Sequence, residues 1–270
     1  MSVRTGGDPA GSSLLLLHGL GATSRVWDGL IDRLDDGWRW GAPDLPGHGG
    51  SAPLTRYSIG GLAAAVAPEV DRDRPLVVLG HSLGGAVGLA LASGWFGVSV
   101  VAVCGLGIKV RWSDAELAKA AEVAARPNRV YDSRQDAVDR ALKVAGLAGL
   151  VTADAPAADA GVVRADDGWT LALDPAAFGV GAPDMDGLLA AARAPVILAA
   201  GEHDPMGPPE HLHELRPDAV TLPGLGHNAH VEDPTALLPL LDRLRNTASG
   251  AGDTRSGTGD TRSGTGDTAP

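Results

Sequence analysis

The sequence predicts an α/β domain, with a mostly parallel central sheet covered by helices on both faces. Three observations predict it. Short, uninterrupted apolar runs recur along the chain, most of them bounded by Gly, Pro or Asp, as strands buried on both faces do. Amphipathic stretches of helical length separate these runs, and strand–helix alternation calls for a parallel sheet. A single segment, about 109–184, breaks the alternation; it is rich in Ala and Asp and has no clean strand.

In chain order, Leu14–Leu17 reads as the first well-marked strand. About a dozen residues precede it, several of them Gly, Pro or Ser, which leaves room for at most one short strand at that edge. Ser24–Leu34 reads as a helix, Trp38–Ala42 as a strand and Ile59–Val70 as a helix. The strand Leu76–Leu79 runs into a helix over Leu83–Ser93, and Val98–Val103 is the next strand. The long segment follows, with helical patterns at Ser113–Ala125 and Ser133–Leu142; Glu116 three residues after Ser113 forms a capping-box pattern. An excursion of this length in a compact domain reads as a helical cap, or lid, over one edge of the sheet. Strand Val196–Ala200, helix Pro208–Leu215, strand Ala219–Leu222 and helix Pro234–Arg245 complete the domain.

Composition narrows the function. The chain has 270 residues and is 44% hydrophobic, which excludes a wholly disordered protein. With only six Trp, two Tyr and two Phe, the core must be built from Ala, Val, Leu and Ile. A net charge of −11 with no Lys/Arg run argues against a nucleic-acid partner. Cys104 is alone, so no intrachain disulfide can form, and its apolar surroundings mark it as a small buried hydrophobe. Leu14–Leu17 is too short for a signal or membrane segment. The expectation is a cytoplasmic monomer or homodimer with no membrane partner.

From Thr247 to Pro270 there is no Val, Ile, Leu, Met or aromatic residue. The unit Gly-Asp-Thr-Arg-Ser-Gly-Thr starts at Gly252, repeats from Gly259 and begins again at Gly266. No position in it is apolar, so a coiled-coil seam is excluded and a low-complexity, disordered tail is expected. The predicted organisation is therefore a domain over 1–246, carrying the cap at about 109–184, and a tail over 247–270.

The chemistry centres on Gly80-His81-Ser82-Leu83-Gly84-Gly85. Gly-x-Ser-x-Gly is a weak pattern alone, but here it joins an apolar run to a helical stretch. That is the strand–turn–helix setting of a nucleophile elbow. The turn forces Ser82 into strained backbone geometry, small neighbours let strand and helix approach, and the helix N-terminus favours negative charge beside the hydroxyl.

With four further motifs in order, residues 13–245 resemble the α/β-hydrolase fold superfamily. Leu14–Gly21 (LLLLHGLG) resembles its first motif strand and oxyanion loop, and Asp44–Ser51 (DLPGHGGS) the turn after the next strand. Gly201–Met206 (GEHDPM) resembles its acid loop and Gly224–Pro234 (GLGHNAHVEDP) its His loop. The resemblance implies a triad of Ser82 as nucleophile, His227 as base and Asp204 as the acid orienting it, in the family's order. Glu202 is the rival acid and His230 the rival base. Some members take the acid from the strand before the cap, but here that strand ends Cys104-Gly105-Leu106-Gly107 without a carboxylate, which closes that alternative. Backbone N–H groups of Leu20 and Leu83 are the implied oxyanion donors.

His81, beside the nucleophile, and the cap residues Trp112 and Trp169 are candidates to line the substrate pocket. His18 and His48 read as structural, held by backbone partners. No histidine grouping has metal-ligand spacing, so neither metal nor other cofactor is expected. The motifs contain no Arg or Lys, and a clamp for an anionic substrate would have to come from elsewhere, for example Lys109 or Arg111 at the cap entrance. The expected substrate is a small to medium, mainly neutral acyl ester. C–C bond hydrolysis, enol-lactone hydrolysis, cofactor-free perhydrolysis, a carrier-bound acyl substrate and a non-catalytic binding module are the alternatives, since the fold does not choose among them.

Overall fold

The computed structural model describes residues 1–253; the rest of the repeat lies outside the described residues. The strands are β1 (Val3–Gly7), β2 (Ser12–Leu17), β3 (Trp38–Pro43), β4 (Leu76–His81), β5 (Val100–Leu106), β6 (Val162–Ala165), β7 (Gly168–Leu171), β8 (Val196–Gly201) and β9 (Val220–Leu222). The helices are α1 (Asp28–Ile31), α2 (Ile59–Val66), α3 (Leu83–Ala92), α4 (Asp114–Ala124), α5 (Arg134–Val144), α6 (Pro156–Asp159), α7 (Met185–Ala191), α8 (Pro209–Leu215), α9 (Ala229–Glu232) and α10 (Leu238–Asp253).

Seven strands form one sheet in the order β1-β3-β2-β4-β5-β8-β9. Only the edge strand β1 is antiparallel to its neighbour; all other pairings are parallel. The runs of consecutive apolar residues follow from this architecture, because both faces are covered. Leu14, Leu16, Val77, Leu79, Ala102 and Cys104 face a core shared with Trp27, Leu30, Leu241 and Leu244. The intervening Leu15, Leu17, Val78 and Val103 face the second core, with Leu62, Val87, Leu91 and Leu212. Every residue of α3 is buried, so its sequence LGGAVGLALA carries no polar side chain. Cys104 is fully buried, and burial pushes its thiol pKa up to about 12.

Four sequence expectations change. Ser24–Leu34 is not one helix but a 3-10 turn, Ser24–Trp27, followed by the single turn α1. Pro234–Leu237 is likewise a 3-10 turn before α10. α10 continues to Asp253, so the predicted tail boundary at 247 falls inside a helix; from 254 onward that expectation lies outside the described residues. The segment expected to lack strands contains the antiparallel hairpin β6–β7, with Arg164 opposite Trp169. Its two strands are four residues each and one is largely exposed, so neither shows the apolar run that marks a buried strand. The predicted capping box is formed: Ser113 and Glu116 exchange both bonds at the start of α4.

The insertion between β5 and β8 is tied to three loops beyond the C-terminal ends of the parallel strands. Gly49 N–H donates to the Ala172 carbonyl (2.8 Å) and Asp174 N–H to the Gly47 carbonyl (2.7 Å), linking it to the loop after β3. The Tyr57 hydroxyl donates to Asp174 at 2.7 Å. Asn228 donates to the Gly146 carbonyl at 3.0 Å, linking it to the loop after β9. Val144 lies against Gly21, after β2. Among the described residues no helix is long and apolar enough to cross a membrane, and no three His, Cys, Asp or Glu are grouped to hold a metal ion.

Candidate active site

Ser82 sits between β4 and α3 with φ +50° and ψ −114°, the only non-glycine residue with positive φ among the described residues. A left-handed serine costs on the order of 1–3 kcal/mol and persists only where its surroundings hold it. Here Ser82 N–H donates to the Leu106 carbonyl at 2.7 Å, extending the β4–β5 ladder one step past its end. The glycines around it leave no room for a side chain. A Cβ on Gly84 would lie 2.3 Å from the Leu17 carbonyl oxygen, and one on Gly80 would lie 2.3 Å from that of Gly84. Strand, elbow and helix are therefore in backbone contact. The Ser82 hydroxyl makes no hydrogen bond within the described protein and is half-buried.

Asp204 and His227 come from the loops after β8 and β9, neighbouring strands in the sheet. His227 Nδ1 is 3.0 Å from each carboxylate oxygen of Asp204. Met206 and Gly207 also donate their N–H groups to Asp204 Oδ1, at 2.8 and 3.0 Å. Burial pushes the Asp204 carboxyl pKa up, but the ring and the two backbone donors outweigh it, and the net direction is down. The carboxylate is thus charged, immobile and buried, at 3% exposure. Glu202 is elsewhere, accepting from Gly224 N–H at 2.8 Å.

His81 joins Ser82 to this pair. Its Nε2 donates to the His227 carbonyl at 2.9 Å, and its ring centroid is 4.7 Å from that of His227. The ring is 3% exposed and lies among protein groups, with His230 at 4.3 Å on another side. The ring packs against His227 rather than forming the floor of an open pocket. His230 is fully buried against Trp27, with both ring nitrogens unpartnered, and burial brings its pKa down to about 3. Its ring makes no hydrogen bond to Ser82 or to any other described residue.

The loop of Leu20 is ordered by His18. The Leu45 N–H donates to His18 Nε2 (2.8 Å), so Nδ1 carries the proton and donates to the Gly19 carbonyl (2.8 Å). A Cβ on Gly19 would meet Ser82 Cβ at 3.3 Å, so the loop passes over the elbow with no side chain between. The Leu20 and Leu83 N–H groups donate to no main-chain carbonyl within the described residues. His48 is half-satisfied: Nδ1 bonds the Pro46 carbonyl at 3.0 Å and Nε2 has no partner.

Glu232 was not singled out from sequence. It accepts from Gly226 N–H at 2.6 Å and Asn228 N–H at 3.1 Å, clamping the backbone on both sides of His227. The spacing, an acid five residues after the His, is the signal that could have found it. Of the aromatic candidates, Trp112 donates Nε1 to the Lys109 carbonyl and lies under the Lys109 ammonium. Trp169 lies between Arg134 and Arg164 on the hairpin. Neither lines the 440 Å³ cavity of the insertion, which Tyr131 and Phe178 line instead. Lys109 and Arg111 are ion-paired to Glu116 and Glu214.

A serine strained at a strand–helix junction, a buried aspartate paired to a histidine and a parallel sheet define a site of the α/β-hydrolase class. Comparison with known proteins agrees. The Alpha/beta hydrolase family profile matches residues 14–240, and the chain belongs to that family. A pimeloyl-[acyl-carrier protein] methyl ester esterase of Neisseria meningitidis serogroup A is 45% identical over 78 residues, spanning 29% of this chain and 24% of that relative. The structure of E-2-(acetamidomethylene)succinate hydrolase is similar at 25% identity and a TM-score of 0.74, over 90% of this chain and 94% of that one. The thioesterase domain from the curacin biosynthetic pathway is similar at 22% identity and a TM-score of 0.71, over 88% and 93%, and shows the shared fold.

Proposed function

We propose that the protein is a serine esterase acting on a small to medium acyl ester, with Ser82 as nucleophile, His227 as general base and acid, and Asp204 as the residue that orients the imidazole. The observation that carries this is the His227–Asp204 pair, joined through the His81–His227 hydrogen bond to the turn that holds Ser82 at positive φ. With Nδ1–H committed to Asp204, Nε2 is the free base that takes the Ser82 proton as Oγ attacks the ester carbonyl. The oxyanion that forms is met by the Leu20 and Leu83 N–H groups, worth roughly 2.7–4 kcal/mol apiece in other enzymes. His227 then protonates the departing alcohol, and water, deprotonated by the same nitrogen, releases the acid from Ser82. Because Lys109 and Arg111 are paired to carboxylates, the reacting end of the substrate is read as neutral. The esterase name of the meningococcal relative supports this chemistry.

A fluorophosphonate should label the native protein and not the Ser82→Ala variant; labelling that survives the substitution removes Ser82 from this role. Nitrophenyl esters of rising chain length, tested beside a lactone and a vinylogous diketone, decide the bond cleaved. Turnover confined to the diketone would replace the esterase reading with C–C bond hydrolysis.

A further inference from the structure

The insertion carries an open cavity of about 440 Å³ that is lined by none of Ser82, Asp204 and His227. Three arginines line it, Arg126, Arg129 and Arg140, and no Asp or Glu does. In a chain of net charge −11, three exposed arginines lining one cavity without a carboxylate run against the overall balance. Their charge is little spent. Arg140 has no hydrogen-bond or ion-pair partner among the described residues. Arg129 lies over the Tyr131 ring at 4.9 Å, which leaves its N–H edge free. Arg126 reaches Glu122 only at 3.4 Å, a long and exposed pair. The remaining wall is apolar, with Val144, Leu171, Leu173 and Phe178 among its residues.

The cavity wall is held by backbone bonds, and two of its residues touch the loops after β2 and β3. Asn128 donates to the Leu173 carbonyl at 2.7 Å, and Tyr131 N–H to the Trp169 carbonyl at 2.7 Å; these fix the strand of chain that carries Arg126 and Arg129. Val144 also lies against Gly21, next to Leu20, and Leu173 bridges to His48. An apolar wall beside three guanidinium groups fits an aliphatic chain ending in an anion.

We propose that this cavity selects acyl esters bearing an anionic group, carboxylate or phosphate, at the end remote from the ester. This inference rests on the esterase reading above for which end reacts. Its test separates the two. Three methyl esters of equal chain length are compared, ending in carboxylate, in phosphate or in a methyl group. A guanidinium bond to an anion is typically worth a ten- to hundredfold factor. One or both charged esters should exceed the neutral one in kcat/KM by roughly that factor, and which one does so identifies the anion. Arg140→Ala and Arg129→Ala should remove that preference through KM while leaving the neutral ester unchanged.

Titration calorimetry of Ser82→Ala with the monomethyl ester of adipate, methyl 6-phosphonooxyhexanoate and methyl hexanoate reads the same site without catalysis. One or both charged esters should bind more tightly than methyl hexanoate, and Arg140→Glu should abolish the difference. Equal binding of all three, or binding untouched by both arginine substitutions, overturns the inference even where neutral esters are hydrolysed. Loss of hydrolysis of every ester with anion binding intact would instead overturn the esterase reading.

Discussion

Replacing Asp204 by Asn tests the role proposed for it, orienting the His227 ring. Oδ1 of Asp204 accepts two fixed backbone bonds, from Met206 and Gly207, at 2.8 and 3.0 Å. An asparagine must keep its oxygen there, since turning the amide would set its NH₂ against two N–H donors. The amide nitrogen then takes the place of Oδ2, 3.0 Å from His227 Nδ1, while Oδ1, equally distant, already accepts the two backbone bonds. The nitrogen can only donate, so the expected pairing makes Nδ1 its acceptor and moves the imidazole proton to Nε2. In that tautomer the ring has no lone pair facing Ser82. The expected loss in kcat is about 10⁴-fold, or about 5.5 kcal/mol, with stability lower by only about 1–2 kcal/mol because the backbone bonds remain. Nitrophenyl acetate hydrolysis measures the rate, urea unfolding the stability, and ¹⁵N shifts of the His227 ring the tautomer. A folded Asp204→Asn variant within tenfold of native kcat, or one whose Nδ1 still carries the proton, refutes the reasoning.

Further outcomes follow from the same contacts. Gly84→Ala drives a Cβ into the Leu17 carbonyl and should cost about 3 kcal/mol in urea unfolding. Gly60→Ala, exposed on α2 with nothing within 4 Å, should instead gain about 0.5–1 kcal/mol. His230→Phe keeps the stacking on Trp27 and His81 and removes two unpartnered nitrogens. Its melting temperature should not fall and its turnover should stay within about tenfold of native; a collapse of kcat would make His230 part of the machinery. Acid should destabilise the fold early. Burial brings His48 and His230 down to about 3 from the usual 6.5, and His18 and His81 are lowered for the same reason. These rings are neutral in the native state and take up protons on unfolding. Stability is therefore complete above pH 6.5 and falls towards pH 3, each histidine adding about 1.4 kcal/mol per pH unit. A flat unfolding free energy across that window would contradict the burial of these rings.

Much of the sheet was legible because buried parallel strands must be apolar on both faces. Leu14–Leu17, Leu76–Leu79 and Val196–Ala200 each lie within an observed strand. β6 and β7 were not legible, since a short hairpin held by backbone bonds needs no apolar run. The two 3-10 turns at Ser24–Trp27 and Pro234–Leu237 read as helix because 3-10 and α patterns share spacing over one turn.

By itself, the sequence determined the sheet, the elbow around Ser82 and the two loops that carry Asp204 and His227. Each depends on short stretches of chain whose residue types are sterically or chemically forced, as the glycines around Ser82 are. Only the tertiary structure decided what His81 and His230 do, that Glu232 clamps the His227 loop, and that Arg126, Arg129 and Arg140 face one cavity. Those facts depend on which distant segments meet. Arg126 and Arg140 lie on two sides of a loop and Leu173 returns from beyond a hairpin. No local pattern records such a meeting, because a surface arginine and a cavity-lining one have the same neighbours in sequence.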